Sequence, residues 1–129
     1  VVGDVAEASR WCDGREYDRV LLDAPCSALG VIRRHPDIKV LRRPEDLAAS
    51  VVSQRRYLRS VWPLLAPGGK LLYAVCTTAK EETTGQIAGF LKETPDAVLT
   101  GPTAGKDRQI LPGEANMDGF YYACIKKNQ

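Results

Sequence analysis

The sequence is poor in the residues that hold metals or staple small folds. It has one histidine, His35, and four cysteines, none in a C-x-x-C pair. That speaks against structural zinc and, in a chain of 129 residues, against a disulfide framework. No apolar run approaches the ~18 residues of a membrane helix, and no charged-then-apolar opening reads as a signal peptide. An excess of one charge is also missing. Eighteen Lys and Arg against 16 Asp and Glu leave +2, so any case for nucleic acid must come from where the charges cluster. There is no internal repeat or low-complexity tract. What remains is 44% hydrophobic and 26% charged, the composition of one globular domain rather than a disordered chain. Its unpaired thiols suit the cytoplasm.

Read in order, the chain alternates strand and helix signals. Val1–Asp4 looks like a strand end. Weak helix signals over Val5–Trp11 precede a turn at Cys12–Gly14. Tyr17–Asp23 contains a short, continuous apolar run, Val20–Leu22, which predicts a strand buried on both faces. Cys26–Arg43 has no clean period and reads as a long functional loop with a short helical turn. Pro44-Glu45-Asp46 then marks a helix start. Leu47, Val51, Leu58, Val61, Trp62 and Leu65 form one helical stripe, ended by Ala66-Pro67-Gly68-Gly69. Lys70–Val75 is a second strand and about Lys80–Glu93 a second helix. Asp96–Leu111 is loop with a short strand, and Gly119–Lys126 is a last strand, paired back on Gln109–Leu111.

This order predicts an α/β fold, a parallel sheet with an antiparallel terminal hairpin at its edge. In such sheets ligands lie beyond the carboxyl ends of the strands. Three predicted strands end in chemistry: Asp4; Asp23 with Cys26; Cys76 with Thr77. All are expected to converge on one sheet edge. A lone Asp4 is as well explained as a helix cap. Asp23-Ala24-Pro25-Cys26 is more pointed, since a rigid turn fixes the direction of the thiol. Arg33, Arg34 and His35 follow Cys26, and a helix start follows Cys76, both features that favour thiolate. Two such thiols suit a redox pair or covalent catalysis with one thiol attacking and the other handling a proton.

Asp23-Ala24-Pro25-Cys26-Ser27-Ala28-Leu29-Gly30, running on to Lys39, resembles the signature of the RNA cytosine-5 methyltransferases, in particular the bacterial Sun type acting on small-subunit ribosomal RNA. Tyr73-Ala74-Val75-Cys76-Thr77 with Glu81-Glu82 resembles the family's second cysteine motif. Pro67-Gly68-Gly69 and Asp118–Ala123 match as well, so four blocks in order span nearly the whole chain. The resemblance implies a Rossmann-like methyltransferase fold, S-adenosylmethionine as methyl donor and a cytosine in RNA as acceptor. It implies that Cys76 is the nucleophile toward C6 of the ring and that Cys26 helps remove the C5 proton and release the product. Asp23 would hold the base edge and stand in the donor site, with Asp4 near the donor's adenine. Residues 1–129 would be the C-terminal part of the catalytic domain. The glycine-rich donor loop, the ribose-binding acid and the RNA-binding domain of the family lie N-terminal to these motifs. The alternative is a non-catalytic RNA-binding module that keeps the fold. Val75, Thr77 and Thr83 depart from the usual Thr, Ser and Asn.

Other features carry less. Gly101–Asp107 resembles a phosphate loop but has three residues between its glycines and Asp after Lys, against four and Ser or Thr in the working motif. Cys12 and Cys124 are expected to pack as apolar residues, and Phe120, Tyr121 and Tyr122 as sheet packing rather than base-stacking groups. Arg33, Arg34, His35, Lys39, Arg42 and Arg43 crowd one short segment against a single acid, Asp37. Beside a thiol that must meet a nucleotide, this predicts RNA-backbone contacts for Arg33, Arg34 and Lys39, with Arg42 and Arg43 more peripheral.

Overall fold

The computed structural model describes residues 2–101 and 106–129; Val1 and the centre of the Gly101–Asp107 segment lie outside them. Val2–Asp4 is not strand. Asp4 instead caps a 3-10 turn at Val5–Glu7, accepting from the Ala6 N–H at 2.8 Å. Next come α1 (Ala8–Trp11) and β1 (Tyr17–Asp23). The following loop holds a 3-10 turn at Leu29–Val31 and α2 (Ile38–Leu41). α3 (Pro44–Val61) starts at its proline, and the Asp46 carboxylate accepts from the Arg43 N–H at 3.0 Å, satisfying an amide the helix start leaves free. β2 (Leu65–Val75), α4 (Thr84–Glu93), β3 (Ala97–Leu99), β4 (Arg108–Ile110) and β5 (Phe120–Lys127) complete the chain.

α4 begins at Thr84 rather than about Lys80, and two linked boundaries differ from the sequence reading for physical reasons. α3 stops at Val61 because Pro63 cannot donate to the helix ladder, and Trp62–Leu64 tightens to a 3-10 turn. β2 therefore begins at Leu65, and Ala66–Gly69 lies inside the strand. The pairing absorbs the extra residues as an irregularity: Tyr17 faces Leu65 but Arg19 faces Lys70. A proline is tolerated at such a slip because no ladder bond is asked of it.

The strand order is β1-β2-β5-β3, with β4 also on β5. β1 and β2 run parallel; β5 is antiparallel to β2, β3 and β4. The predicted terminal hairpin is present, with Gln109 opposite Tyr121. Its last strand is interior rather than marginal, since β5 is paired on both sides.

Leu71, Tyr73 and Val75 of β2 and Tyr121, Ala123 and Ile125 of β5 share one face of the sheet and are fully buried. Leu58 and Val61 of α3 and Ile87 and Phe90 of α4 join them in the core. Trp62 meets Phe90 edge-on at 5.3 Å, and Tyr73 meets Tyr121 at 6.4 Å. The opposite face is open. Leu21, expected to be buried, is 66% exposed. With Leu72 and Cys124 it lines a shallow apolar hollow instead. β1 is also the sheet's outer strand, and a second hollow lined by Val5, Trp11, Tyr17, Leu21 and Leu64 runs along it.

Candidate active site

Parallel pairing of β1 and β2 brings their carboxyl ends side by side, with Asp23 opposite Ala74. The Ala24 N–H donates to the Ala74 carbonyl at 3.0 Å, extending the pairing one residue past the strand. Pro25 then turns the chain, and the two thiols that leave neighbouring strands meet, with Cys26 Sγ 3.5 Å from Cys76 Sγ. All four cysteines are free thiols. Both members of the pair are half-buried, and their environments drive them apart. The hydrogen bond from Cys26 favours a thiolate on Cys76 and brings its pKa down to about 7, against the opposing pull of burial and of the Asp23 and Glu82 charges. The same bond, together with burial, pushes the Cys26 thiol up and keeps its proton on. Activation thus comes from one thiol to the other. It does not come from the basic run or from a helix start, since α4 begins only at Thr84.

Beneath the thiols lies a polar cluster that sequence reasoning left without a role. Glu82 is fully buried. Its Oε1 accepts from the Ser27 N–H at 2.8 Å and from Gln54 Nε2 at 3.1 Å, and its Oε2 accepts from Ser27 Oγ at 2.5 Å. The Ser27 proton being spent on the carboxylate, it is the Thr77 hydroxyl that donates to Ser27 Oγ, at 2.8 Å. Gln54 also donates to the Pro25 carbonyl at 3.0 Å, and the Tyr73 hydroxyl to the Glu82 carbonyl at 2.9 Å. Thr77 therefore keeps the hydroxyl that matters despite departing from the usual serine. Val75, without one, is simply core, and Thr83 bonds back to the Ala79 carbonyl. Ser27, Thr77 and Glu82 stand in the two cysteine motifs, but nothing in the sequence marks them as buried together; Gln54, which interrupts an apolar stripe, is the one hint of a buried polar site.

Gly30 closes the arrangement. Its N–H donates to the Cys76 carbonyl at 3.0 Å, and its own carbonyl accepts from the Gly119 N–H at 2.8 Å. A side chain on Gly30 would fall on the Gly119 carbonyl oxygen. Asp23 is exposed at the strand end and, among the described residues, its carboxylate has no hydrogen-bond or ion-pair partner. Asp4 is exposed and engaged as a cap, and the contacts of its side chain do not join it to the thiols. Of the basic residues, Arg33 donates to the Met117 carbonyl and to Asn116 Oδ1, both at 3.1 Å, and Arg34 pairs with Asp118 at 2.5 Å. Lys39 is exposed. Arg42, expected to be peripheral, is the one that reaches the thiol turn, where its Nε donates to the Ser27 carbonyl at 2.8 Å. Tyr121 is core, and Phe120 and Tyr122 stack on each other, 6.1 Å apart, half-exposed.

A family model described as 16S rRNA methyltransferase RsmB/F matches residues 1–126. A ribosomal RNA small subunit methyltransferase B from Vibrio cholerae serotype O1 is 53% identical over 128 residues, which is 98% of this chain and 30% of that protein. Among solved structures, PH0851 superposes with a TM-score of 0.89 at 33% identity, over 98% of this chain and 30% of the other. NSun6 from Pyrococcus horikoshii, solved with SFG, superposes at 0.84 and 27% identity, over all of this chain and 34% of the other. The fold is accordingly the Rossmann-like methyltransferase fold, and the chain spans about 30% of the length of the curated relatives it matches.

Proposed function

The chain belongs to the RsmB/F family of 16S rRNA methyltransferases, and from that premise we propose that it carries the thiol chemistry of methyl transfer to C5 of a cytosine in RNA, with small-subunit ribosomal RNA as substrate. The observation that carries this is the thiol pair, 3.5 Å apart at the carboxyl ends of adjacent parallel strands, with Cys76 ionising at about 7. A thiolate at neutral pH is the nucleophile, and a protonated neighbour is a group that exchanges protons with the adduct.

In this reading Cys76 Sγ forms a bond to C6 of the ring, which makes C5 nucleophilic. S-adenosylmethionine, when bound, supplies the electrophilic methyl group. Once Cys76 Sγ is bonded to carbon, the thiolate that held the Cys26 proton in place is gone and Cys26 gives that proton up to solvent. Its thiolate then helps take up the C5 proton, the C5 electron pair re-forms the ring double bond, and Cys76 leaves as thiolate. Asp23 fits a ligand-facing role, since its carboxylate is exposed beside the thiols and uncommitted among the described residues; it holds the base edge and faces the donor. Asp4 offers the donor one exposed oxygen beyond its cap bond. SFG, an S-adenosylmethionine analogue in the NSun6 structure, supports the choice of donor. Arg33, Arg34 and Lys39 face the RNA backbone, with Arg42 nearer the thiols than any of them. Residues 1–129 act as the C-terminal part of a cytoplasmic enzyme's catalytic domain.

The test is trapping in the longer enzyme that carries these motifs. Cys76→Ala abolishes methyl transfer and leaves no protein–RNA adduct on a denaturing gel. Cys26→Ala allows attack but blocks release, so adduct accumulates. Adduct from Cys76→Ala and none from Cys26→Ala reverses the roles.

A further inference from the structure

We infer that Glu82 is the positioning residue of the thiol pair: its buried carboxylate clamps Ser27, next to Cys26, and through Ser27 reaches Thr77, next to Cys76, and so holds Cys26 at hydrogen-bonding distance from Cys76. The inference rests on the covalent-thiol reading above and adds to it a group that touches neither substrate nor sulfur.

Burying a carboxylate is costly unless hydrogen bonds replace its water. Glu82 has three such bonds, and among the described residues it has no cationic partner. A site kept for packing alone is served as well by an apolar side chain, which needs none of them. Here two of the three donors belong to Ser27, the residue after Cys26. Ser27 Oγ is in turn bonded to Thr77, the residue after Cys76. Each arm of the clamp thus ends one position from a sulfur. The third donor, Gln54, ties the same carboxylate to the Pro25 carbonyl, one position before Cys26. The turn carrying Cys26 is thereby gripped on both sides of the thiol. The acceptor itself is fixed by the Tyr73 hydroxyl on the Glu82 carbonyl. Three charged or ionisable groups face Cys76: Cys26, Asp23 and Glu82. The two carboxylates disfavour its thiolate, so the bond from a correctly aimed Cys26 is what outweighs them.

The readout is which thiol reacts, and at what pH. Iodoacetamide is applied to the full chain across pH 5.5–9.5 (roughly spanning the thiol range), and each cysteine is quantified by peptide mass spectrometry. In the wild type Cys76 alkylates ahead of Cys26, with a midpoint near 7. Glu82→Ala, with the fold verified by circular dichroism, removes one opposing charge but also the aim of Cys26, whose bond is the larger effect; the Cys76 midpoint moves up by about one pH unit, toward an ordinary thiol, and its rate near neutrality falls about fivefold. Glu82→Gln keeps an oxygen for the Ser27 N–H and Gln54 and removes only an opposing charge, so its midpoint stays at the wild-type value or just below it. Ser27→Ala removes one arm only and gives an intermediate shift; it carries the test if Glu82→Ala does not fold. A folded Glu82→Ala with the wild-type midpoint and rate overturns the inference. So does loss of fold in both variants, which would leave Glu82 a stability residue. A wild type in which Cys76 shows no preference overturns the nucleophile assignment beneath it, whereas a preference that the variants leave intact overturns the role of Glu82 alone.

Discussion

At the scale of single residues, the site is governed by approaches too close for ordinary side chains. Gly30 and Gly119 bring the Cys26 loop, the Cys76 turn and the turn before β5 into backbone contact. Gly30→Ala places a methyl on the Gly119 carbonyl oxygen, and the backbone must part to admit it. The expected cost is about 1–3 kcal/mol, read by urea denaturation; a loss under about 0.5 kcal/mol, the ordinary surface range, contradicts it. The meeting of the two thiols at this scale was legible. Asp23, Cys26 and Cys76 stand out because polar, reactive types follow apolar strands. Ser27 and Glu82 were visible as motif residues but not as a buried pair, and Gln54 did not stand out. The pair Glu81-Glu82 does not say which acid is buried, and the importance of Glu82 comes from partners many residues away. The basic run was legible as a cluster but not in its internal order. Which arginine reaches the thiols depends on how α2 turns the loop back, and that placed Arg42 on Ser27.

At the scale of elements, α3 does two unlike jobs with one face. Its C-terminal half buries Leu58 and Val61 in the core, while Gln54, one turn earlier, serves the polar cluster. Substitutions separate the two. Leu58→Ala costs about 2–5 kcal/mol of stability through a core cavity and leaves the Cys76 alkylation profile unchanged, because Leu58 is no part of the hydrogen-bonded cluster that aims the thiols. Gln54→Leu costs less, about 1–3 kcal/mol for the partners it strands, yet slows Cys76 alkylation. Thermal denaturation and thiol mapping on the same samples check both; equal effects on reactivity contradict the division. The periodicity of α3 made its existence plain, and the proline fixed its start. Its end was misjudged because Pro67-Gly68-Gly69 is a strong turn signal, whereas the structure fits that stretch into β2 through a slip in pairing. Register of that kind depends on the partner strand and cannot be read from one segment.

At the scale of the whole molecule, helices cover one face of the sheet and β1 ends it. The reading of Val20–Leu22 as doubly buried failed here. Hydrophobicity records what a residue can be packed against, and Leu21, Leu72 and Cys124 face no helix among the described residues. The relatives, about three times as long, have further polypeptide that a longer protein can lay on that surface. For the chain by itself the outer strand has a different consequence. Among the described residues β1 pairs with β2 alone, and an unpaired ladder next to exposed leucine is a template on which another chain can add a strand. Two copies joined β1 to β1 would make one continuous sheet through a two-fold axis. Light scattering coupled to size exclusion is therefore expected to give a mass that climbs from monomer toward dimer as concentration rises. Leu21→Lys, which puts a charge where the second sheet would have to lie, holds the mass at monomer; a wild-type mass independent of concentration removes the idea. An edge open to a further strand thus also governs how the chain behaves when it is made alone.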